Sequence, residues 1–332
     1  MRPEAIRTAP ARICRRIRVA SPLRGLIQPP EQTPERVVRG SEESVLVTGG
    51  SGFIAAALIA ALRTEWNVRS SQRRRGSGDL VVGALGHGAD WRRALEGVAT
   101  VIHLAGPSSA SAPHDAIRRA IVSGTRELVE QATSAGVRRV IFVSSIKACA
   151  EESKGTPLRE EDEPRPADVY GRAKLQAERI VLARAPLAPV VLRPPLVYAA
   201  NAKGNFARFL RQLDTDLPLP FAGIENRRSL ISLSSLVNAI VAVMRNESAP
   251  AGVFHLADEP AVSTTEMATL LRKGMGRPAR LFHVPGFDKF GPPPLVRSLE
   301  VDSSRFCAAF DFAGSDTREG LVACGRAWRE KH

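Results

Sequence analysis

Several runs of strand length are apolar at every position rather than at alternate ones. They are Val45-Leu46-Val47, Leu80-Val81-Val82, Thr100 to Leu104, Val140-Ile141-Phe142-Val143 and Val190-Val191-Leu192. Continuous apolar runs predict strands buried on both faces, as in a parallel sheet. A shorter strand is expected near Asn67–Arg69. Helix-patterned segments separate these runs. They are the Ala- and Leu-rich Phe53 to Leu62, a short Asp90 to Leu95, residues 115–135 with apolar positions at Ile117, Ile121, Leu128 and Val129, and Tyr170 to Leu182. The alternation predicts an α/β fold, a doubly wound parallel sheet with ligands at the carboxyl ends of its strands. Past residue 196 the pattern loosens. Helices are expected near 205–213, 234–245 and 264–273, and short strands near 253–256 and 281–284. No internal repeat is visible.

Residues 1–43 are rich in Pro and Arg and lack apolar periodicity, which predicts a disordered basic extension. Residues 44–198 read as a dinucleotide-binding domain, and 199–332 as mainly a substrate-binding lobe interleaved with it. The net charge is +13, and residues 1–40 hold nine Arg against three Glu. No basic run is interleaved with aromatics and no zinc-finger spacing occurs, so anionic nucleotides, not nucleic acid, are the expected partners. Cys14, Cys149, Cys307 and Cys324 are far apart and form no CxxC pair. Neither a disulfide framework nor a metal site is expected. No stretch reaches the ~18 apolar residues of a membrane span, and a cytoplasmic location follows as the expectation.

Thr48-Gly49-Gly50-Ser51-Gly52-Phe53-Ile54-Ala55 joins a predicted strand to a predicted helix. Pyrophosphate binding needs a tight turn, a bare backbone and free amides at a helix start. Gly49 suits the turn, Gly52 the close approach, and Phe53 and Ile54 open the helix. Ala55 takes the third position, where glycine is commoner. No acidic residue ends the second strand to bond the ribose hydroxyls of NAD. Arg73-Arg74-Arg75 could instead meet the 2′-phosphate of NADP, or form a solvated basic loop, and the cofactor is left as NAD or NADP.

Tyr170 and Lys174 are spaced i, i+4, on one face of a helix. A neighbouring ammonium favours the phenolate, so Tyr170 is expected below its ordinary pKa and fit to exchange a proton with a hydroxyl. Ser145 follows a buried strand and can hydrogen-bond the reacting oxygen, with Ser144 as the alternative.

These residues resemble a known family. TGGSGFI at 48–54, the strand end His103-Leu104-Ala105, FVSSIKA at 142–148, YGRAK at 170–174 and LRPPLVY at 192–198 are similar to extended short-chain dehydrogenases, the NAD-dependent epimerase/dehydratases. GNF at 204–206, NRRSL at 226–230 and VDSSR at 301–305 resemble UDP-glucose 4-epimerase-like proteins and reductases of UDP-4-keto sugars. The resemblance covers about residues 44–325. It implies a Rossmann-type sheet with a small C-terminal substrate-binding lobe. It implies Tyr170 as acid/base, Lys174 as ribose anchor, and Leu104, Ala105 and Pro194 beside the cofactor. Asn205, Arg228 and Arg305 would touch the diphosphate of a UDP-sugar, and a homodimer would form through helices 115–135 and 168–184. The chain departs from the family pattern at Ala55, at Gly83-Ala84-Leu85 where an acidic residue is usual, at Ile121 where Asn is usual, at Ala199 and in the small polar loop Gly106 to Pro113. Three functions stay open: a UDP-hexose 4-epimerase, an NADP-dependent UDP-4-keto sugar reductase, and a cofactor-sensing protein with impaired catalysis.

Overall fold

The computed structural model describes residues 44–73, 80–107 and 112–332. The basic extension 1–43, Arg74, Arg75 and most of the polar loop after Gly106 lie outside the described residues. The central sheet begins with β1 (Ser44–Thr48), β2 (Asn67–Gln72), β3 (Leu80–Val81), β4 (Val98–His103), β5 (Arg139–Val143) and β6 (Val190–Arg193). Later in the chain come β7 (Leu196–Tyr198), β8 (Leu219–Ala222), β9 (Arg228–Ser232), β10 (Gly252–His255), β11 (Asp258–Val262) and β12 (Leu281–His283). The large sheet runs β10-β6-β5-β4-β1-β2-β3 with every pair parallel. The strand order reverses at β1, between β2 and β4, and this is where a doubly wound sheet opens a crevice for a ligand. The doubly wound, Rossmann-type reading therefore holds.

The apolar runs are continuous because each strand serves two cores. In β1, Val45 and Val47 pack with Ala55, Leu58 and Leu62 of α1 (Phe53–Leu62), while Leu46 packs on the other face. That second face is covered by Leu128 and Val129 of α4 (Gly124–Ser134) and by Ala173 and Ala177 of α5 (Val169–Leu182). The short α2 (Arg92–Leu95) precedes β4. The helix expected at 115–135 is interrupted. It starts as α3 (His114–Arg118), passes through a π-helical turn Arg119–Ser123 and continues as α4. Gly86 presses on this turn, where a Cβ would stand 2.3 Å from the Arg119 carbonyl oxygen. Ile121, where the family pattern has Asn, is buried in the same core.

The second lobe holds α6 (Gly204–Leu213), α7 (Leu233–Arg245), α8 (Thr264–Gly274), the short α9 (Phe287–Phe290) and α10 (Pro293–Val296), then α11 (Ser304–Phe310) and α12 (Thr317–Arg329). α7 packs back on α1 beneath the large sheet. A three-stranded sheet β11-β9-β7 and a pair β12-β8 surround a separate core of Phe206, Phe209, Leu210, Phe221, Met267, Leu271, Leu321 and Trp328. The sequence pattern missed β7, β8, β9, β11, α11 and α12. α8 and α12 cross at glycines: a Cβ on Gly325 would lie 2.2 Å from the Leu271 carbonyl oxygen, and one on Gly274 2.1 Å from that of Val322. No helix among the described residues is long and apolar enough to cross a membrane.

Candidate active site

The glycine turn sits at the carboxyl end of β1, in the crevice. Gly49 has φ of +75°, a left-handed conformation, and a Cβ there would stand 2.9 Å from the Ala105 Cα. Both facts call for glycine. The Gly50 amide donates to the Ser71 carbonyl at 2.9 Å, which ties the turn to the end of β2. α1 starts at Phe53 with Gly52 as N-cap, no side-chain cap bond and no acidic residue in its first turn. Its N-terminus therefore presents amides and the positive end of the helix dipole to the crevice. A Cβ on Gly52 would stand 3.2 Å from the Gly49 carbonyl oxygen. Bare backbone, an uncapped helix start and the adjoining Leu104-Ala105 segment fit a dinucleotide pyrophosphate.

A buried chain of side chains fixes this floor. The Thr48 hydroxyl oxygen accepts from the Leu104 and Ala105 amides, both at 3.1 Å, and lies 2.8 Å from His103 Nδ1. With two donors already on its oxygen, Thr48 gives its own proton to Nδ1. His103 then carries hydrogen on Nε2 and donates to the Thr125 hydroxyl at 3.0 Å. Burial, with the Lys174 charge adding to it, brings the imidazole down to about 3, so it stays neutral. The peg joins β1, β4 and α4. In the sequence, His103 is visible only as part of a motif, without a role.

Tyr170 and Lys174 lie in the first two turns of α5, both buried. Asp168 caps the helix, accepting from the Gly171 amide at 2.6 Å, and also takes the Lys147 ammonium at 2.9 Å. Gly171 is buried against the turn after Ser145, where a Cβ would lie 2.3 Å from the Lys147 carbonyl oxygen. Only glycine lets α5 press that close, and this contact brings Tyr170 to Ser145. The Ser144 hydroxyl donates to Glu178 at 2.5 Å. That leaves Ser145, extended at φ −160°, as the serine beside the Tyr170 phenol, where its hydroxyl favours the ionised form. Lys174 donates to the Val143 carbonyl at 3.0 Å, with its Nζ 4.7 Å from the Phe142 ring centroid and 5.9 Å from that of Tyr170. Phe142 also stacks on His103, ring centroids 5.4 Å apart, so the Tyr–Lys pair and the glycine floor share one edge of the sheet.

One electrostatic expectation is reversed by the chain's own groups. Burial pushes the Tyr170 phenol above its ordinary value, with the Asp168 charge adding to it and the Ser145 hydroxyl opposing. Burial brings Lys174 down to about 8, opposed by Glu178. Desolvation, joined by the Asp168 charge, sets the direction at Tyr170, and the Lys174 ammonium expected to lower it is not among the groups that act on it.

Other expected residues are more scattered. Arg73 is exposed, directly after β2, whose last residues Ser70-Ser71-Gln72 include no carboxylate. Pro194 is buried after β6, and its carbonyl accepts from the Ile146 amide at 2.9 Å. Asn205 is exposed in the first turn of α6. Arg228 opens β9 and donates to the Arg297 carbonyl at 2.9 Å, and among the described residues it meets no carboxylate. Burial brings its guanidinium down to about 10. Arg305 is not brought to this group. It lies over the Phe254 ring at 5.2 Å, 3.6 Å from where a Gly252 Cβ would stand, at the edge of the sheet where β10 begins. No group of His, Cys, Asp and Glu among the described residues is arranged to hold a metal.

The profile of the NAD dependent epimerase/dehydratase family matches residues 45–257. A UDP-glucose 4-epimerase of Vibrio cholerae is 33% identical over 263 residues, covering 74% of this chain and 80% of its own. Among solved structures, MoeE5 in complex with UDP-glucose and NAD matches with a TM-score of 0.72 at 26% identity, over 87% of this chain and 99% of that one. The UDP-N-acetylglucosamine 4-epimerase of Bacillus cereus, 20% identical, shares the fold with a TM-score of 0.75 over 87% of this chain and 100% of its own. With its glycine turn, Rossmann-type sheet and Tyr–Lys pair, the chain belongs to the NAD-dependent epimerase/dehydratase family of NAD(P)-dependent enzymes.

Proposed function

We propose that the chain is a UDP-hexose 4-epimerase. The observation that carries this reading is the convergence of Ser145, Tyr170 and Lys174 on the sheet edge that also holds the glycine turn. The 33% identical relative from Vibrio cholerae, named UDP-glucose 4-epimerase, supports the substrate class. A nicotinamide nucleotide held by Gly49, Gly52, Phe53, Ile54 and the Leu104-Ala105 backbone supplies hydride acceptance and return at sugar C4. As the phenolate, a form that the Lys174 ammonium and a bound nicotinamide cation would favour against burial, Tyr170 takes the proton of the C4 hydroxyl and gives it back, and Ser145 hydrogen-bonds the same oxygen. Lys174 holds the ribose and sets a positive charge beside Tyr170. Pro194 closes the cofactor side of this edge.

Asn205 and Arg228 hold the diphosphate. A part-buried guanidinium that meets no carboxylate among the described residues gains a counter-charge from phosphate, and its planar fork suits two oxygens at once. Arg305, assigned to the same task by resemblance, has no support from its position. A homodimer through the faces of α3–α4 and α5 belongs to this reading, and a single monomeric species in sedimentation contradicts it.

One observation favours a second reading, an NADP-dependent UDP-4-keto sugar reductase. β2 ends without a carboxylate and is followed by Arg73, which suits a 2′-phosphate. Denaturing the purified protein and identifying the released nucleotide separates the two. An epimerase must recover its own hydride in each turnover, so stoichiometric NAD in the supernatant supports it. A protein that releases none and binds NADPH supports the reductase. A protein that binds neither contradicts both and leaves an inactive homologue.

A further inference from the structure

Beneath Tyr170 and Lys174 lies a buried carboxylate that the acid–base reading does not use. Glu178 stands one helical turn beyond Lys174 on α5 and is 1% exposed. Its Oε1 accepts from the Ser144 hydroxyl at 2.5 Å and from Arg193 Nε at 3.0 Å, and its Oε2 accepts from Arg193 Nη2 at 2.6 Å. Three segments of the site thus end on one group: the Ser144-Ser145 turn after β5, the helix that carries Tyr170 and Lys174, and the end of β6 before Pro194. Backbone bonds close the same seam, from the Ser144 amide to the Leu192 carbonyl at 2.8 Å and from the Ile146 amide to the Pro194 carbonyl at 2.9 Å.

Stability alone does not call for an ion pair at this place. Apolar residues of similar volume often serve as well or better than a buried pair. What a carboxylate adds is negative potential beside Lys174. We propose that Glu178 is a positioning residue of the acid–base centre: clamped by Arg193 and Ser144, it sets Ser145 against α5, and its charge keeps Lys174 an ammonium. The proposal rests on the reading of Tyr170 and Lys174 as that centre.

The groups around both residues leave Glu178 as the anion that acts on Lys174. Lys174 faces Tyr170 and Glu178 on its own helix, the Val143 carbonyl and Phe142 ring of β5, and neutral His103 of β4. Glu178 faces Ser144 and Arg193, with Cys149 nearby. Beyond Arg193 stand His255 of β10, 3.4 Å from its Nη1, and Glu160 and Asp162 of the segment that precedes α5. Burial opposes the ammonium, and Glu178 counters it.

The test is a direct titration of Lys174 in the substrate-free full chain carrying 13Cε-labelled lysine, with the signal assigned by its loss in Lys174→Arg. The parent is expected to titrate near 8. Glu178→Gln is expected to titrate roughly one pH unit lower, through loss of the neighbouring charge. Arg193→Gln breaks the same pair but leaves the carboxylate, and its midpoint should not fall. A purely structural role would move both variants alike. Glu178→Asp keeps the charge on a shorter arm, and should keep the parent midpoint while lowering kcat through the loosened clamp. The alkaline limb of kcat/KM should follow the Lys174 midpoint in every variant. An unchanged midpoint in Glu178→Gln, equal falls in the glutamine variants at 178 and 193, or a full-unit fall in Glu178→Asp would overturn the proposal. Because the titration needs no turnover, failure of the epimerase reading is seen separately, as a chain whose Lys174 behaves as described but which converts no UDP-hexose.

Discussion

The large parallel sheet and the second lobe solve different problems with different materials. In the sheet, the groups proposed for chemistry are over-determined. Thr48, His103 and Thr125 lock the floor, Gly171 sets the helix spacing, and Glu178 joins three segments. In the lobe, Asn205 is exposed and Arg228 makes one bond to a carbonyl. Hydride transfer tolerates little error in distance, whereas a diphosphate is long, flexible and highly charged, and can be gathered by fewer, looser contacts. Under the proposed function, catalysis falls to the over-determined part and substrate binding to the part with fewer fixed contacts.

The sharpest way to break this contrast is to remove the acid–base group. Tyr170→Phe should lower kcat by about 10²–10⁴-fold, the usual worth of general acid–base catalysis. The melting temperature and nucleotide binding should stay close to the parent's. A variant as active as the parent would move the chemistry elsewhere.

Matched glycine substitutions separate the two regions. Gly49→Ala forces a left-handed alanine against Ala105 and should cost about 1–3 kcal/mol, read mainly as weaker nucleotide binding in calorimetry. Gly325→Ala drives a methyl into the Leu271 carbonyl at the α8–α12 crossing. It should lower thermal stability by a similar amount while leaving nucleotide affinity intact. Loss of nucleotide binding in the second variant, with its fold intact, would contradict the separation.

Smaller effects are expected from the arginines. Arg228→Ala should raise the KM for a UDP-sugar about ten- to a hundredfold with little change in kcat, as for loss of a charge-assisted bond. Arg305→Ala should leave KM unchanged, and an equal rise in both would return Arg305 to the diphosphate.

A further effect is on stability against pH. An unfolded imidazole takes up a proton below about 6.5. Folded His103 stays neutral to about 3, and His255, also buried, to about 4. The unfolded chain therefore binds more protons through this window, and stability is lost as pH falls from about 6.5 toward 4. Melting curves from pH 7 to 5 should show the loss. His103→Asn, which cannot titrate, should show a shallower slope from a lower starting point.

The contrast also explains what the sequence made legible. Strands buried on both faces announce themselves as unbroken apolar runs, so β1, β4, β5 and β6 were readable, and so were the glycine turn and the Tyr–Lys spacing. The lobe strands are short and mixed. Leu219–Ala222 contains Pro220, and Asp258–Val262 contains two acids and Pro260, so neither has a pattern of its own. α12 contains Gly320 and Gly325 and reads as a poor helix, yet close packing on α8 sustains it. Nothing local pairs Glu178 with Arg193 or Thr48 with His103, because those partnerships exist only once the strands are aligned. Arg305 shows the opposite case: a motif alone assigned it to the diphosphate, and α11 packs it over Phe254 of the edge strand β10.

The most direct test of the central claim is whether the purified chain, supplied with NAD, interconverts UDP-glucose and UDP-galactose, followed by proton NMR of the anomeric signals. Approach to the same equilibrium mixture from either sugar is expected, abolished in Tyr170→Phe. No interconversion from either side by a folded protein that holds NAD, or interconversion undiminished in Tyr170→Phe, would contradict it.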